Sequence, residues 1–294
     1  MRSEADMFKL IVGTAQEDER VRAVYMNGSR TNPNAPRDTF QDYDIVYVVK
    51  ETASFLRDPD WIRRFGELRM VQEPDGLDAL LGKNVDTASS YGYLMLFMDG
   101  NRIDLHLRTI ADMQDTYLAD KLTLPLLDKD GCLPAIPPPS DQDYWVKQPT
   151  EPLYAHCCNE FWWCMQNVAK GLARDELPYA KDMFETVIRD MLNQMAGWWI
   201  GMDQGFRLSI GKKGKYLKRY LPPAYWTQYE RTYADGNTEN AWQAVFAACE
   251  LFRAMGEEIA ERFGFRYSIE DDRLMTAYLE QVRDMGSTIQ ERIV

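Results

Sequence analysis

Residues 27–50 read NGSRTNPNAPRDTFQDYDIVYVVK, and they set two aspartates at the mouth of an apolar run. Aspartate is a poor strand former. Yet Asp42 and Asp44 open DYDIVYVVK, whose β-branched and aromatic residues read as a strand. Side chains two apart on a strand share a face, which places these carboxylates about 7 Å apart along the chain. Without a partner they repel and raise each other's pKa. A divalent cation that prefers hard oxygen ligands removes the conflict. Upstream, Gly28-Ser29 is a tight turn whose backbone N–H groups and hydroxyl can approach phosphates.

Working outward, the first half alternates helix-like and strand-like segments. Residues 4–19 read as a helix, and 21–29 as a strand ending in a turn. DPDWIRRFG reads as a short helix capped by Asp58 ahead of Pro59. LRMVQEP and YGYLMLFMDG follow as strands. NRIDLHLRTI alternates strictly, with Ile103, Leu105 and Leu107 on one face and Arg102, Asp104, His106 and Arg108 on the other. The MDGN between the last two is a hairpin signal. Three consecutive prolines in DKDGCLPAIPPPSDQDYW cannot lie in a helix or a central strand, so a domain boundary is expected near residue 140. Beyond it the period becomes helical, over about 152–173, 178–204, 222–234, 238–263 and 270–285. The expected class is α+β: a mixed sheet with flanking helices over 1–140, then a helical bundle over 141–294.

Bulk properties narrow the function. At 45% apolar residues the chain can bury a sizeable core, and no run of eighteen apolar residues suggests a membrane span. The acidic, amphipathic start lacks the features of a signal peptide. Five cysteines without a C-x-x-C pair, and only two histidines, argue against a disulfide framework or a zinc site and point to a cytoplasmic setting. The net charge of −12 disfavours a nucleic-acid partner and suits a cationic small substrate, although acidity also serves plain solubility.

Asp104 adds a third carboxylate from another strand of the same expected sheet. A Gly-Ser turn, a D-x-D on a strand and a later Asp flanked by apolar residues together fit nucleotidyl transfer. Carboxylates and nucleotide phosphates share metal ions, and the third carboxylate takes the proton of the attacking hydroxyl. The stretch 28–49 resembles the polymerase-β-type nucleotidyltransferase motif. Its particular form resembles the bacterial aminoglycoside 6-adenylyltransferase family, the streptomycin adenylyltransferases. The similarity continues through FMDGNRIDLHL, LLDKD, CCNEFWW, KGLARDEL and GKKGKYLKRYL, and so spans nearly the whole chain.

The resemblance implies transfer of AMP from Mg-ATP to the 6-hydroxyl of streptomycin, with two Mg²⁺ ions. Asp42, Asp44 and Asp104 match the metal carboxylates, and Asp104 is also taken as the general base. Gly28, Ser29 and Arg30 are expected on the nucleotide side. In the second domain His156, Glu160, Trp163, Asn167, Lys170 and Arg174 recur at helical spacing. Periodicity alone permits a buried Trp163 with solvated charges. The resemblance favours a stripe facing a cleft between the domains, with Glu160 on a substrate cation, Trp163 stacked on the substrate and Lys170 at the triphosphate. SIGKKGKYLKRYL gathers basic residues in an acidic chain, and Lys215 and Tyr216 are the expected phosphate clamp. A solvated basic turn is the plain alternative. His106 shares a strand face with Asp104, and either lines the substrate pocket, orients the base, or is an ordinary strand histidine. The expected partners are ATP and an aminoglycoside, in a monomer or weak homodimer. The rival readings are another acceptor, or a nucleotide-binding regulatory protein without turnover.

Overall fold

The computed structural model describes residues 1–293, with side chains through Gly286. The chain divides into two compact units, Met1–Asp143 and Tyr144–Val294.

The first unit opens with helix α1 (Glu4–Glu17), started by a capping box in which Ser3 and Asp6 satisfy each other's backbone N–H groups. Strands β1 (Val21–Asn27) and β2 (Tyr43–Val49) follow, then a short helix α2 (Ala53–Leu56) and a 3₁₀ turn at Trp61–Phe65. That turn is preceded by Asp60, not the expected Asp58, and neither caps it with a side chain. Next come β3 (Leu68–Gln72), α3 (Pro74–Leu80), β4 (Ser90–Phe97), β5 (Arg102–Thr109), α4 (Ile110–Thr116) and β6 (Thr123–Asp128). The six strands form one sheet in the order β3-β4-β5-β2-β1-β6. All neighbours are antiparallel except β2 and β5, which run parallel.

The two faces of this sheet are built differently. Ile45, Tyr47, Val49, Ile103, Leu105 and Leu107 pack under Met7, Ile11, Phe55 and Phe65, forming the main core. On the opposite face Val46 and Val48 are covered by Met113 and Tyr117 from α4 and the residue after it. Asp44 shares that second face with Val46, one pleat nearer the start of the strand. The parallel pairing brings the start of β5 alongside it.

The second unit is all helical: α5 (Glu151–Ala173), α6 (Leu177–Met183), a π-turn at Phe184–Ile188, α7 (Arg189–Gln204), α8 (Leu217–Tyr220), α9 (Pro223–Glu230), α10 (Thr238–Phe263) and α11 (Ile269–Ile293). Thr150 and Asn237 cap α5 and α10 through their side chains. Phe161 of α5 stacks on Phe252 of α10 at 3.7 Å between ring centroids. Arg253 of α10 holds Asp272 of α11 through two charge-assisted hydrogen bonds, at 2.6 and 2.5 Å. Among the described residues no helix is long and apolar enough to cross a membrane. The five cysteines are free, and all but Cys132 are buried.

Candidate active site

Asp44 and Asp104 are register partners on the parallel pair β2–β5. This juxtaposition answers why an aspartate sits so early in a strand: it meets a second carboxylate from the adjacent strand, with Asp42 just ahead of β2. On the other side of Asp44 stands Asn27, its register partner on β1. The next residue is Gly28, with φ +77°, and a β-carbon there would lie 2.1 Å from Asp44 Oδ2. The turn therefore needs glycine both for its left-handed backbone and for the approach of the Asp44 carboxylate. Ser29 follows on the same turn, which the N–H of Thr31 closes onto the carbonyl of Gly28 at 3.1 Å.

The electrostatics carry the mark of crowded negative charge. The Asp44 carboxyl is pushed up to about 6, first by burial, then by Asp104 and Asp42, while Arg102 and Arg30 offset only part of this. Arg102 Nε and Nη2 donate to the two oxygens of Asp104, both at 2.7 Å. Its Nη1 lies 3.4 Å from Asp42 Oδ2. Among the described residues no three carboxylate, histidine or cysteine side chains are gathered as a metal's ligands; two of the three carboxylates are instead joined through Arg102. The donor set nevertheless fits a hard divalent cation. It is all carboxylate, it carries more negative charge than its arginines neutralise, and it sits beside a glycine turn.

Arg30 is tied into the scaffold beside the turn. It is only 6% exposed. Its guanidinium donates to the carbonyls of Asp42 (3.1 Å) and Gln41 (2.8 Å), pairs with Glu4 at 3.1 Å, and lies over the ring of Tyr43 at 3.8 Å. With these donors turned inward it anchors the segment that carries Asp42. His106 is two residues beyond Asp104 on the same face, opposite Gly92 of β4. Burial and the neighbouring Arg108 lower its pKa, which keeps the imidazole neutral at pH 7.

In the helical unit, Trp163 is 61% exposed while its neighbour Trp162 is 2% exposed. The tryptophan of the predicted stripe is thus not a core residue. His156 is exposed on the same helix, Arg174 is exposed just past its end, and Glu160, Asn167 and Lys170 are half-buried. Glu160 accepts a weak hydrogen bond from the Cys164 thiol at 3.4 Å. The basic segment runs from the loop after α7 into α8, and three of its residues, Gly211, Lys213 and Gly214, have positive φ. Lys213 pairs with Asp190, and Lys218 approaches Glu230 at 4.0 Å. Lys215 is exposed with its ammonium 5.1 Å from the ring centre of Tyr216.

Arg102 lies on the polar face of β5, as the alternation of 102–109 implies, but its pairing with Asp104 and Asp42 is a tertiary feature. The signal was there in part, since R-x-D on one strand face puts a cation beside a carboxylate.

The streptomycin adenylyltransferase family profile matches residues 1–282. The aminoglycoside 6-adenylyltransferase of Bacillus subtilis (strain 168) is 36% identical over 283 residues, which is 96% of this chain and 98% of the relative. That of Campylobacter jejuni is 35% identical over 286 residues, 97% of this chain and 98% of the relative. A solved aminoglycoside 6-adenyltransferase from Bacillus subtilis shares 33% identity, covers 96% of this chain and 99% of its own, and superposes with a TM-score of 0.48. On this similarity along nearly its whole length, the chain belongs to the streptomycin adenylyltransferase family.

Proposed function

We propose that this protein is an aminoglycoside O-adenylyltransferase that moves AMP from Mg-ATP to the 6-hydroxyl of streptomycin. The observation that carries the reading is the pairing of Asp44 with Asp104 across parallel strands, with Asp42 and the Gly28 turn beside them. Asp42, Asp44 and Asp104 are the residues that would hold Mg²⁺, two ions in all. A metal held by these carboxylates would supply charge neutralisation for the triphosphate and the departing pyrophosphate.

The chain's own groups do the rest. Asp104 takes the proton of the substrate hydroxyl as that oxygen bonds to the α-phosphorus. The bond from the α-phosphorus to the bridging oxygen breaks, and its electron pair leaves with pyrophosphate. Gly28 and Ser29 present the nucleotide-facing turn, and Lys170, Lys215 and Tyr216 take the phosphates. Glu160 binds a cationic group of the aminoglycoside, exposed Trp163 stacks on it, and His106 lines its pocket. The net negative charge suits a guanidinium-bearing substrate, which carboxylates grip in bidentate fashion.

Mass spectrometry after incubation with Mg-ATP and a panel of aminoglycosides tests the reading. Streptomycin should gain one adenylyl group. Asp104→Asn should bind both substrates within a few-fold of wild type and turn over about 10²- to 10⁴-fold more slowly. A wild-type protein that binds ATP and streptomycin yet forms no adduct overturns the assignment in favour of a nucleotide-binding regulator.

A further inference from the structure

Arg102 occupies the carboxylate cluster in a way that competes with the proposed chemistry. Both oxygens of Asp104 accept from its guanidinium at 2.7 Å, and the same guanidinium reaches Asp42 at 3.4 Å. A carboxylate held on both oxygens by a bidentate guanidinium has its strongest acceptor positions filled. In that state Asp104 offers an ion or a hydroxyl only its remaining lone pairs, with its charge already partly neutralised.

The hold is also one that can be released. Arg102 starts β5 with 43% of its side chain exposed, whereas Asp104 beneath it is 14% exposed. An arginine so placed can swing into solvent without unfolding anything. The contrast with Arg30 is informative. That guanidinium is buried and tied to two backbone carbonyls, so it belongs to the scaffold. The Arg102 guanidinium instead contacts Asp104 and Asp42, both carboxylates of the site.

We propose that Arg102 is a resident counter-ion: it stands in for metal while the site is empty and yields Asp104 and Asp42 when metal binds. It is thus a positioning residue that sets the metal requirement of the enzyme. The proposal rests on the metal-site reading given above. It explains why three carboxylates can be kept together in the resting protein, since like charges at this spacing repel and one guanidinium bridges two of them. It also predicts a cost, because each incoming cation must displace a bidentate pair and is repelled by the arginine's charge until it leaves.

Binding of Mn²⁺ alone to the whole protein, read by electron paramagnetic resonance of the free ion, tests this without turnover. Arg102→Gln should bind Mn²⁺ about threefold to tenfold more tightly than wild type, the scale of a partly exposed bidentate pair. Arg102→Lys keeps the charge but loses the fork, and should fall between the two. In EDTA, Arg102→Gln should melt below wild type, and saturating Mn²⁺ should close the gap. Asp44→Asn should lose Mn²⁺ binding in either background. If Arg102→Gln binds Mn²⁺ no more tightly than wild type, while Asp44→Asn still abolishes binding, the counter-ion role is wrong and the metal site stands. If Asp44→Asn binds Mn²⁺ like wild type, or wild type and Arg102→Gln bind none, the metal site itself is wrong and the counter-ion role falls with it.

Discussion

Replacing Gly28 by alanine should separate the geometry of the active site from the stability of the sheet. Two costs arise at this position. The first is conformational, since φ +77° places a non-glycine residue in the left-handed region, at roughly 1–2 kcal/mol. The second is steric. The new methyl would sit 2.1 Å from Asp44 Oδ2 and 2.8 Å from its Cγ, so the carboxylate must retreat by roughly 1 Å, a misplacement that can cost about 10²-fold in rate. Gly131→Ala is the control. It lies in the same unit with φ +66°, and nothing is within 4 Å of its added carbon, so it pays the first cost alone. Hydrogen exchange of the β1 and β2 amides at matched pH should show Gly28→Ala destabilised at least as much as Gly131→Ala, the excess being the steric cost. Initial rates of pyrophosphate release should fall about a hundredfold in Gly28→Ala and stay near wild type in Gly131→Ala. A Gly28→Ala enzyme retaining more than about a third of wild-type activity would refute the claim that this glycine exists to admit Asp44.

Two further outcomes follow from the same geometry. Asp44→Asn should lose at least about a hundredfold in adenylylation, yet be more stable than wild type in EDTA at neutral pH. Its folded carboxyl is raised to about 6, so the protonated form favours the fold, and that contribution is complete below the unfolded value of 3.8 and lost as pH rises through about 6. The gap should therefore be small at pH 4, open towards pH 6 and level off at about 1–3 kcal/mol. Exchange of β2 amides in the two proteins at each pH reads it directly, and an Asn variant no more stable than wild type at pH 7.5 would remove the idea of uncompensated charge. Lys215→Ala should weaken ATP binding by calorimetry and leave streptomycin binding without nucleotide almost unchanged. Equal losses for both ligands would make the segment an ordinary basic turn.

Much of this was legible because the signals were local. The strict alternation of 102–109 is a strand with one buried face, and Ile103, Leu105 and Leu107 are fully buried. The D-x-D and the distant Asp104 were readable as a group because parallel or antiparallel pairing of two such strands brings their polar faces together. Other elements carried weaker signals. Helix α3, PDGLDAL, is short, has two aspartates and buries no residue, so it lacks an apolar stripe. Strand β6 contains Pro125 and runs along a sheet edge, where the missing N–H is tolerated. Periodicity put Trp163 on the polar stripe but could not decide whether that side was covered; the answer depends on which neighbours α5 packs against. The separate parts of Arg30 and Arg102 were hidden for a related cause. Each is an arginine near an aspartate, and only tertiary contacts make one a buried anchor and the other a releasable partner.

The parallel union of β2 with β5 also governs when the protein becomes competent as it folds. Every other pair in the sheet is antiparallel, and β3–β4, β4–β5 and β1–β2 each join strands that are consecutive in the chain. The β2–β5 junction, like β1–β6, joins distant strands, and it closes a loop containing all of α2, β3, α3 and β4. Such a closure is paid in chain entropy before its contacts form, and it slows folding more than local pairing does. The two hairpin-like halves can form early, each holding one part of the carboxylate set. Only their docking brings Asp104 beside Asp44, so the carboxylate set is complete no earlier than the pairing of β5 with β2.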